Sequence, residues 1–187
     1  MSRRRFFTGN GDNGTTGLLG EGRISKNHLR IEVLGCLDET TAALGFARSL
    51  SADQEITRVV LQIQHELYQL MAEIAATPEH AEQFRVISTE HVQWLEQQAD
   101  HLSEAIELPR EFILPGDTPA AGAFSLARAI CRRAERRVVE LNEREGLGNP
   151  FIIPYLNRLS SLCFVLELYE TQIHGKARPT LAKQTRP

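Results

Sequence analysis

Residues 125–140, SLARAICRRAERRVVE, put five arginines on one short stretch of a chain whose formal net charge is −3. On a helix, residues three and four apart share a face. Arg128, Arg132 and Glu135 then form one row, at steps of four and three. Two planar, permanently charged guanidinium groups a turn apart suit recognition of phosphate or carboxylate, and Glu135 can hold one of them in place. Most charge rows are solvated faces laced with ion pairs, so spacing alone leaves surface pairing as the commoner reading. Arg133, Arg136, Arg137 and Glu140 fall off the row, and Arg136 with Glu140 reads as an i,i+4 surface pair worth a few tenths of a kcal/mol.

A second stretch able to do chemistry lies at the N-terminus. Six of the 13 glycines fall within the first 22 residues, in FTGNGDNGTTGLLGEG, which predicts an irregular segment rather than a helix or a regular strand. Successive backbone N–H groups in glycine turns can cradle phosphate oxygens, with Thr15, Thr16 and Lys26 adding donors and charge. Clusters of Gly, Asn and Asp are more often plain turns. A phosphate cradle and a cationic row in one chain together suggest a nucleotide polyphosphate.

Helices must position both. The texture changes at Asp38, and DETTAALGFARSL over 38–50 predicts a first helix. ADQEITRVVLQIQHELYQLMAEIAA carries Ile56, Val59, Val60, Ile63, Leu67, Leu70, Met71 and Ile74, an amphipathic helix ended by Thr77-Pro78. STEHVQWLEQQADHLSEAIEL is a third, capped by Ser88 or Thr89. PREFILPGDTP breaks the periodicity, and Thr118-Pro119 launches the arginine helix as N-cap and first helical residue. That helix has its own apolar stripe: Phe124, Ala127, Cys131, Ala134, Val138 and Leu141. After GLGNPFIIP, the run YLNRLSSLCFVLELYETQIHG forms a last core helix before Gly175. The tail KARPTLAKQTRP, 176–187, is polar, basic and short of core residues, which predicts disorder. Five helices with short connections and no repeat predict a single all-α domain over 1–175, an antiparallel bundle behind a glycine-rich segment at 1–37.

Composition narrows the function. The 187 residues, 42% of them hydrophobic, suffice for one soluble domain with a sizeable core. Acidic and basic residues nearly balance, at 24 and 21, so no global field favours nucleic acid, and aromatic residues are not interleaved with the basic ones. Cys36, Cys131 and Cys163 are far apart and odd in number, against a disulfide framework or a CxxC metal site, and fit a reducing cytoplasm. No apolar run approaches a membrane span, and MSRRRFFTG lacks the apolar region of a secretory signal, so the mature chain is expected to start near Met1. No histidine follows a glutamate by three residues, as di-iron bundles require, and HExxH, GxSxG and the GxxxxGK[ST] loop are absent.

The runs TGNGDNGTTGLLGEGRISK, GCLDETTAALGFA, FILPGDTPAAGAFSLARAICRRAERRVV and YLNRLSSLCFVLELY resemble, in order and spacing, the ATP:cob(I)alamin adenosyltransferases of the propanediol-utilisation type. The likeness spans roughly residues 7 to 170, and CRRAER is its most specific block. It implies a ferritin-like five-helix bundle assembled as a homotrimer, with ATP and Mg²⁺ bound at subunit interfaces, the metal carried by ATP rather than by a dedicated protein site. The 5′-deoxyadenosyl group of ATP would pass to cob(I)alamin, with triphosphate leaving. The glycine segment would wrap the triphosphate through Thr8, Gly9, Asn10, Gly11, Asp12, Gly14, Thr15, Thr16 and Lys26. Arg128, Arg132 and Glu135 would belong to the active site, with Asn157 on the nucleotide. Asp38 would pair with Arg128 of a neighbouring subunit, and Phe112 would lie under the corrin ring. A corrinoid reductase and an adenosylcobalamin-dependent enzyme are the implied partners. Four positions depart from the usual pattern: Asn10 for threonine, Thr41 for asparagine, Asp117 in LPGD for glycine, and Ser161 for aspartate. The first and last motivate an alternative, a catalytically weak relative that senses ATP or delivers adenosylcobalamin.

Overall fold

A computed structural model describes residues 7–183. The opening MSRRRF, part of the stretch read above as carrying no secretory signal, and residues 184–187 of the tail lie outside the described residues. Five helices make up most of the chain: α1 (Leu29–Leu50), α2 (Gln54–Ala75), α3 (Thr89–Ser103), α4 (Pro119–Glu145) and α5 (Ile152–His174). α4 packs between α1 and α5, α2 against α1, and α3 against α5. The pairs Arg30–Glu145 and Arg133–Glu39 set α1 antiparallel to α4. The Asn157–Glu135 bond, with Arg128 over Phe164, does the same for α5 and α4. Among the described residues no helix is long and apolar enough to cross a membrane.

Local chemistry explains where the helices start. Asp53 accepts the Glu55 and Ile56 N–H groups to open α2, and Thr118 accepts that of Ala121, with Pro119 leading α4. α5 begins at Ile152, three residues before the expected Tyr155; Pro154 lies in its first turn, where a missing N–H costs nothing. α3 ends at Ser103, short of the expected Leu108. The larger correction concerns α1. It starts at Leu29 rather than Asp38, because Leu29, Val33, Cys36 and Leu37 already follow helical steps and His28 accepts the Arg30 N–H. The exposed Gly35 lies inside this helix and does not break it.

The core is continuous. Val33, Leu37 and Leu44 of α1 join Ile56, Ile63 and Leu67 of α2, Leu95 of α3, the apolar stripe of α4, and Leu159, Leu162 and Leu166 of α5. One polar pair crosses it: the Tyr155 hydroxyl donates to Glu66 Oε2 at 2.8 Å, while Gln62 donates to Oε1. Burial together with the neighbouring Glu66 carboxyl pushes the Tyr155 phenol well up, so it stays a donor. Tyr155→Phe leaves a carboxyl oxygen unpartnered in the core and is expected to destabilise the fold by about 1–3 kcal/mol. Urea unfolding of the variant checks this; an unchanged midpoint would show that the pair is silent.

Candidate functional site

The glycine-rich segment is not wholly irregular. Thr15–Gly17 (β1) pairs antiparallel with Arg23–Ser25 (β2), Thr16 facing Ile24. β-branched Thr15, Thr16 and Ile24 favour this ribbon, and the glycines are left to its turns. Arg23, which sequence reading passed over, ties the loop together. Its guanidinium donates to Thr15 Oγ1 at 2.9 Å and to the carbonyls of Asn10 and Thr15. The Thr15 hydroxyl in turn donates to Asn13 Oδ1 at 2.7 Å. Both sides of that hydroxyl are thus engaged inside the chain, so Thr15 shapes the loop first. Tight turns close at Gly9–Asp12 and Gly11–Gly14. Gly14 has a φ of +78°, where a side chain would be strained. The Lys26 ammonium lies against Gly11, 2.9 Å from where a Cβ would stand. Thr8, Gly9, Asn10, Asp12 and Gly14 are exposed around it, with Gly11 and Thr16 half-buried.

The segment is anchored to one end of the bundle. Leu19 exchanges backbone hydrogen bonds with Ala75 and Thr77 at the end of α2. Arg30 donates to the Ile74 carbonyl and pairs with Glu145 at 2.6 Å, joining the ends of α2 and α4. Arg128 lies 17 positions before Glu145 on α4, roughly 25 Å along the axis.

On α4 the arginines separate by partner. Arg133 pairs with Glu39 of α1. Arg137 pairs with Glu140 at 2.8 Å, and Arg144 takes the other oxygen of that carboxylate. The expected Arg136–Glu140 pair is therefore not formed; Arg136 donates instead to the Arg132 carbonyl. Glu135 does not hold an arginine either. It accepts from the Asn157 amide at 3.0 Å, one face of α5 meeting one face of α4. Arg128, half-buried, stacks over the Phe164 ring at 5.5 Å, a cation–π contact. Among the described residues Arg128, Arg132 and Asp38 make no ion pair and no side-chain hydrogen bond.

Arg128 also lines a cleft of about 530 Å³ with Phe164, Glu167, Ser125 and the Pro109–Pro115 segment, Phe112 included. Phe112 is 88% exposed. Glu167, hidden in what reads as a core stripe, is buried against this cleft. Burial pushes its carboxyl up, with the Ser125 hydroxyl and Arg128 opposing. Phe164 and Glu167 lie three apart on α5, and only its packing against α4 shows that this face meets Arg128. Ser161, by contrast, is exposed and bonds its own helix at the Asn157 carbonyl.

The structure thus holds two separate candidate clusters, the glycine segment with Lys26 and the surface where Arg128, Arg132 and Glu135 of α4 meet Asn157 of α5. No hydrogen bond, ion pair or cleft among the described residues links them. The family model for cobalamin adenosyltransferase matches residues 6–170. This chain belongs to the cobalamin adenosyltransferase family. It is 39% identical over 165 residues to the corrinoid adenosyltransferase of Bacillus subtilis (strain 168), covering 86% of this chain and 83% of that one. It is 36% identical to the corrinoid adenosyltransferase of Mycobacterium leprae, over 87% of this chain and 88% of that one. The match to corrinoid adenosyltransferase PduO of Salmonella typhimurium is 38% identical over 86% of this chain and 48% of that relative. The chain thus spans about half the length of that relative. Among solved structures, a variant PduO-type ATP:corrinoid adenosyltransferase from Lactobacillus reuteri complexed with cobalamin and ATP superposes with a TM-score of 0.87 at 30% identity, covering 97% of both chains. The cobalamin adenosyltransferase fold here is the five-helix bundle, and the hairpin is its only regular strand structure among the described residues.

Proposed function

We propose that this protein is an ATP:corrinoid adenosyltransferase, transferring the 5′-deoxyadenosyl group of ATP to cob(I)alamin as a cytoplasmic homotrimer. What supports the reading is the unequal use of the α4 arginines. Four are spent on partners within the chain, while among the described residues Arg128 and Arg132 keep their guanidinium groups free of ion pairs, on the face of α4 that carries Glu135 and meets Asn157 of α5. With the glycine segment anchored at the far end of the bundle, a triphosphate reaching both clusters lies between two copies.

The cobalt electron pair attacks C5′, the C5′–O bond breaks, and triphosphate leaves with the bonding pair. The protein need supply no nucleophile. Its residues bind and orient: the Gly9–Gly14 turns and Lys26 hold phosphate oxygens, Arg132 meets the charge growing on the leaving triphosphate, and Asn157, held by Glu135, contacts the nucleoside. Phe112 covers one face of the corrin and excludes water and the lower ligand from cobalt. Among the described residues no three His, Cys, Asp or Glu side chains converge. Mg²⁺ would arrive on the phosphates, where Asp12 could add one ligand and the ion would neutralise charge. A reductase that supplies cob(I)alamin and an enzyme that consumes adenosylcobalamin complete the sequence of reactions.

The deciding assay is anaerobic, with ATP, Mg²⁺ and chemically reduced cobalamin. Loss of cob(I)alamin absorbance, formation of a light-sensitive Co–C bond and release of triphosphate are expected. A folded trimer that binds ATP without turnover would replace the transferase with the sensing or delivery alternative.

A further inference from the structure

The tail expected to be disordered is instead built into the fold through Lys183. α5 ends at Gly175, where a Cβ would stand 2.4 Å from Thr118 Cγ2 and 2.9 Å from the Thr171 carbonyl. A residue without a side chain lets the chain turn across the start of α4. The tail then runs antiparallel beside residues 112–114. Leu114 N–H donates to the Thr180 carbonyl at 2.8 Å, and Ala182 N–H to the Phe112 carbonyl at 2.7 Å. Among the described residues these are the two hydrogen bonds that the 108–116 segment makes. That segment holds two prolines, and Gly116 has a φ of +105°. The Phe112 side chain, 88% exposed, has almost no packing of its own. Its place is therefore set by its backbone, and its backbone by the tail.

One side chain holds the tail there. Asp117 accepts from Lys176 Nζ and Thr180 Oγ1 through Oδ1, and from Thr180 N–H through Oδ2, each at 2.7 Å. Its side chain is only 6% exposed. We propose that Asp117 is a positioning residue for corrinoid binding: by clamping the tail as an added strand on residues 112–114, it fixes where Phe112 stands. Lys176, then Thr180, hold its carboxyl down at about 2. A depressed carboxylate stabilises at pH above its ordinary 3.8 and is lost as pH falls through about 2, so the clamp is fully charged at neutral pH. The departure from the usual LPGG turn thus has a partner 63 residues away in the chain.

The inference rests on the adenosyltransferase reading for the role of Phe112, and its test separates the two. Hydrogen exchange, which needs no activity, is measured on peptides covering 112–116 and 178–183 in the full chain, its Asp117→Ala variant and Asp117→Asn. The alanine variant is expected to speed exchange in both peptides about tenfold while leaving 15–26 unchanged, with asparagine between. In steady state, Asp117→Ala should raise KM for cob(I)alamin about tenfold and leave KM for ATP within about twofold. Unchanged exchange, or KM values for the two substrates rising together, would overturn the proposal. If the wild type lacks turnover, the adenosyltransferase reading fails, and an absorbance titration with cob(II)alamin replaces the KM comparison: weaker binding by Asp117→Ala supports the clamp, and equal binding overturns it.

Discussion

Arg132→Ala is expected to lower kcat about 10²–10³-fold, the usual cost of removing one preorganised charge from a site where negative charge develops. The physical case is that Arg132 is exposed on α4 and, among the described residues, its guanidinium has no partner to lose. The fold should therefore hardly notice. Surface substitutions away from packed features change stability by about 0.5 kcal/mol or less, roughly 2 °C in Tm at this size. The control is Arg136→Ala. That side chain donates to the Arg132 carbonyl and to nothing nearer the cleft, so turnover should stay within about twofold. Equal losses in the two variants would sink the division of the arginines into site and surface groups.

The second large effect is expected at Asp38. It stands on α1 at the rim of an apolar groove of about 550 Å³ lined by Leu19, Ile31, Leu34, Tyr68 and Met71. Tyr68 is 71% exposed there, far more than a packed tyrosine allows. In the proposed trimer a neighbouring copy covers this groove and brings its Arg128 to Asp38. Breaking one partner of a pair desolvated by assembly costs about 3–5 kcal/mol, so Asp38→Ala should shift a micromolar solution to monomers and cost more than about 10²-fold in turnover. Analytical ultracentrifugation beside the turnover assay reads both. A charge exchange, Asp38→Arg with Arg128→Asp, should regain part of the assembly. A fully active Asp38→Ala trimer would remove the pair from the mechanism.

These two expectations differ in how much the sequence alone could support them. The row of Arg128, Arg132 and Glu135 follows from helical spacing, and so does the separation of Arg133 and Arg137 from it. Spacing could not say that Glu135 takes Asn157 rather than an arginine, or that Arg136 turns to a backbone carbonyl. Those outcomes depend on how α5 and α1 rotate against α4. The start of α1 was legible in Leu29, Val33, Cys36 and Leu37, but the nearby glycines drew the boundary too late. Arg23 and Glu167 were harder to find. One needs the hairpin that brings residues 15 and 23 together, and the other needs α4 laid against α5.

What the sequence by itself determined is local: five amphipathic segments, the Thr118-Pro119 start, the stops before Thr77-Pro78 and Gly175, and the glycine turns of the N-terminus. Periodicity and capping act over four residues or fewer, so they can be read along the chain. Tertiary structure decided which charges are already spent and which are left for a ligand. Arg133 meets Glu39 across 94 residues, and Asp117 meets Thr180 across 63. Such pairs exist only once the helices have chosen their neighbours and their rotation, because hydrophobic burial that sets those choices is non-directional and carries no register of its own.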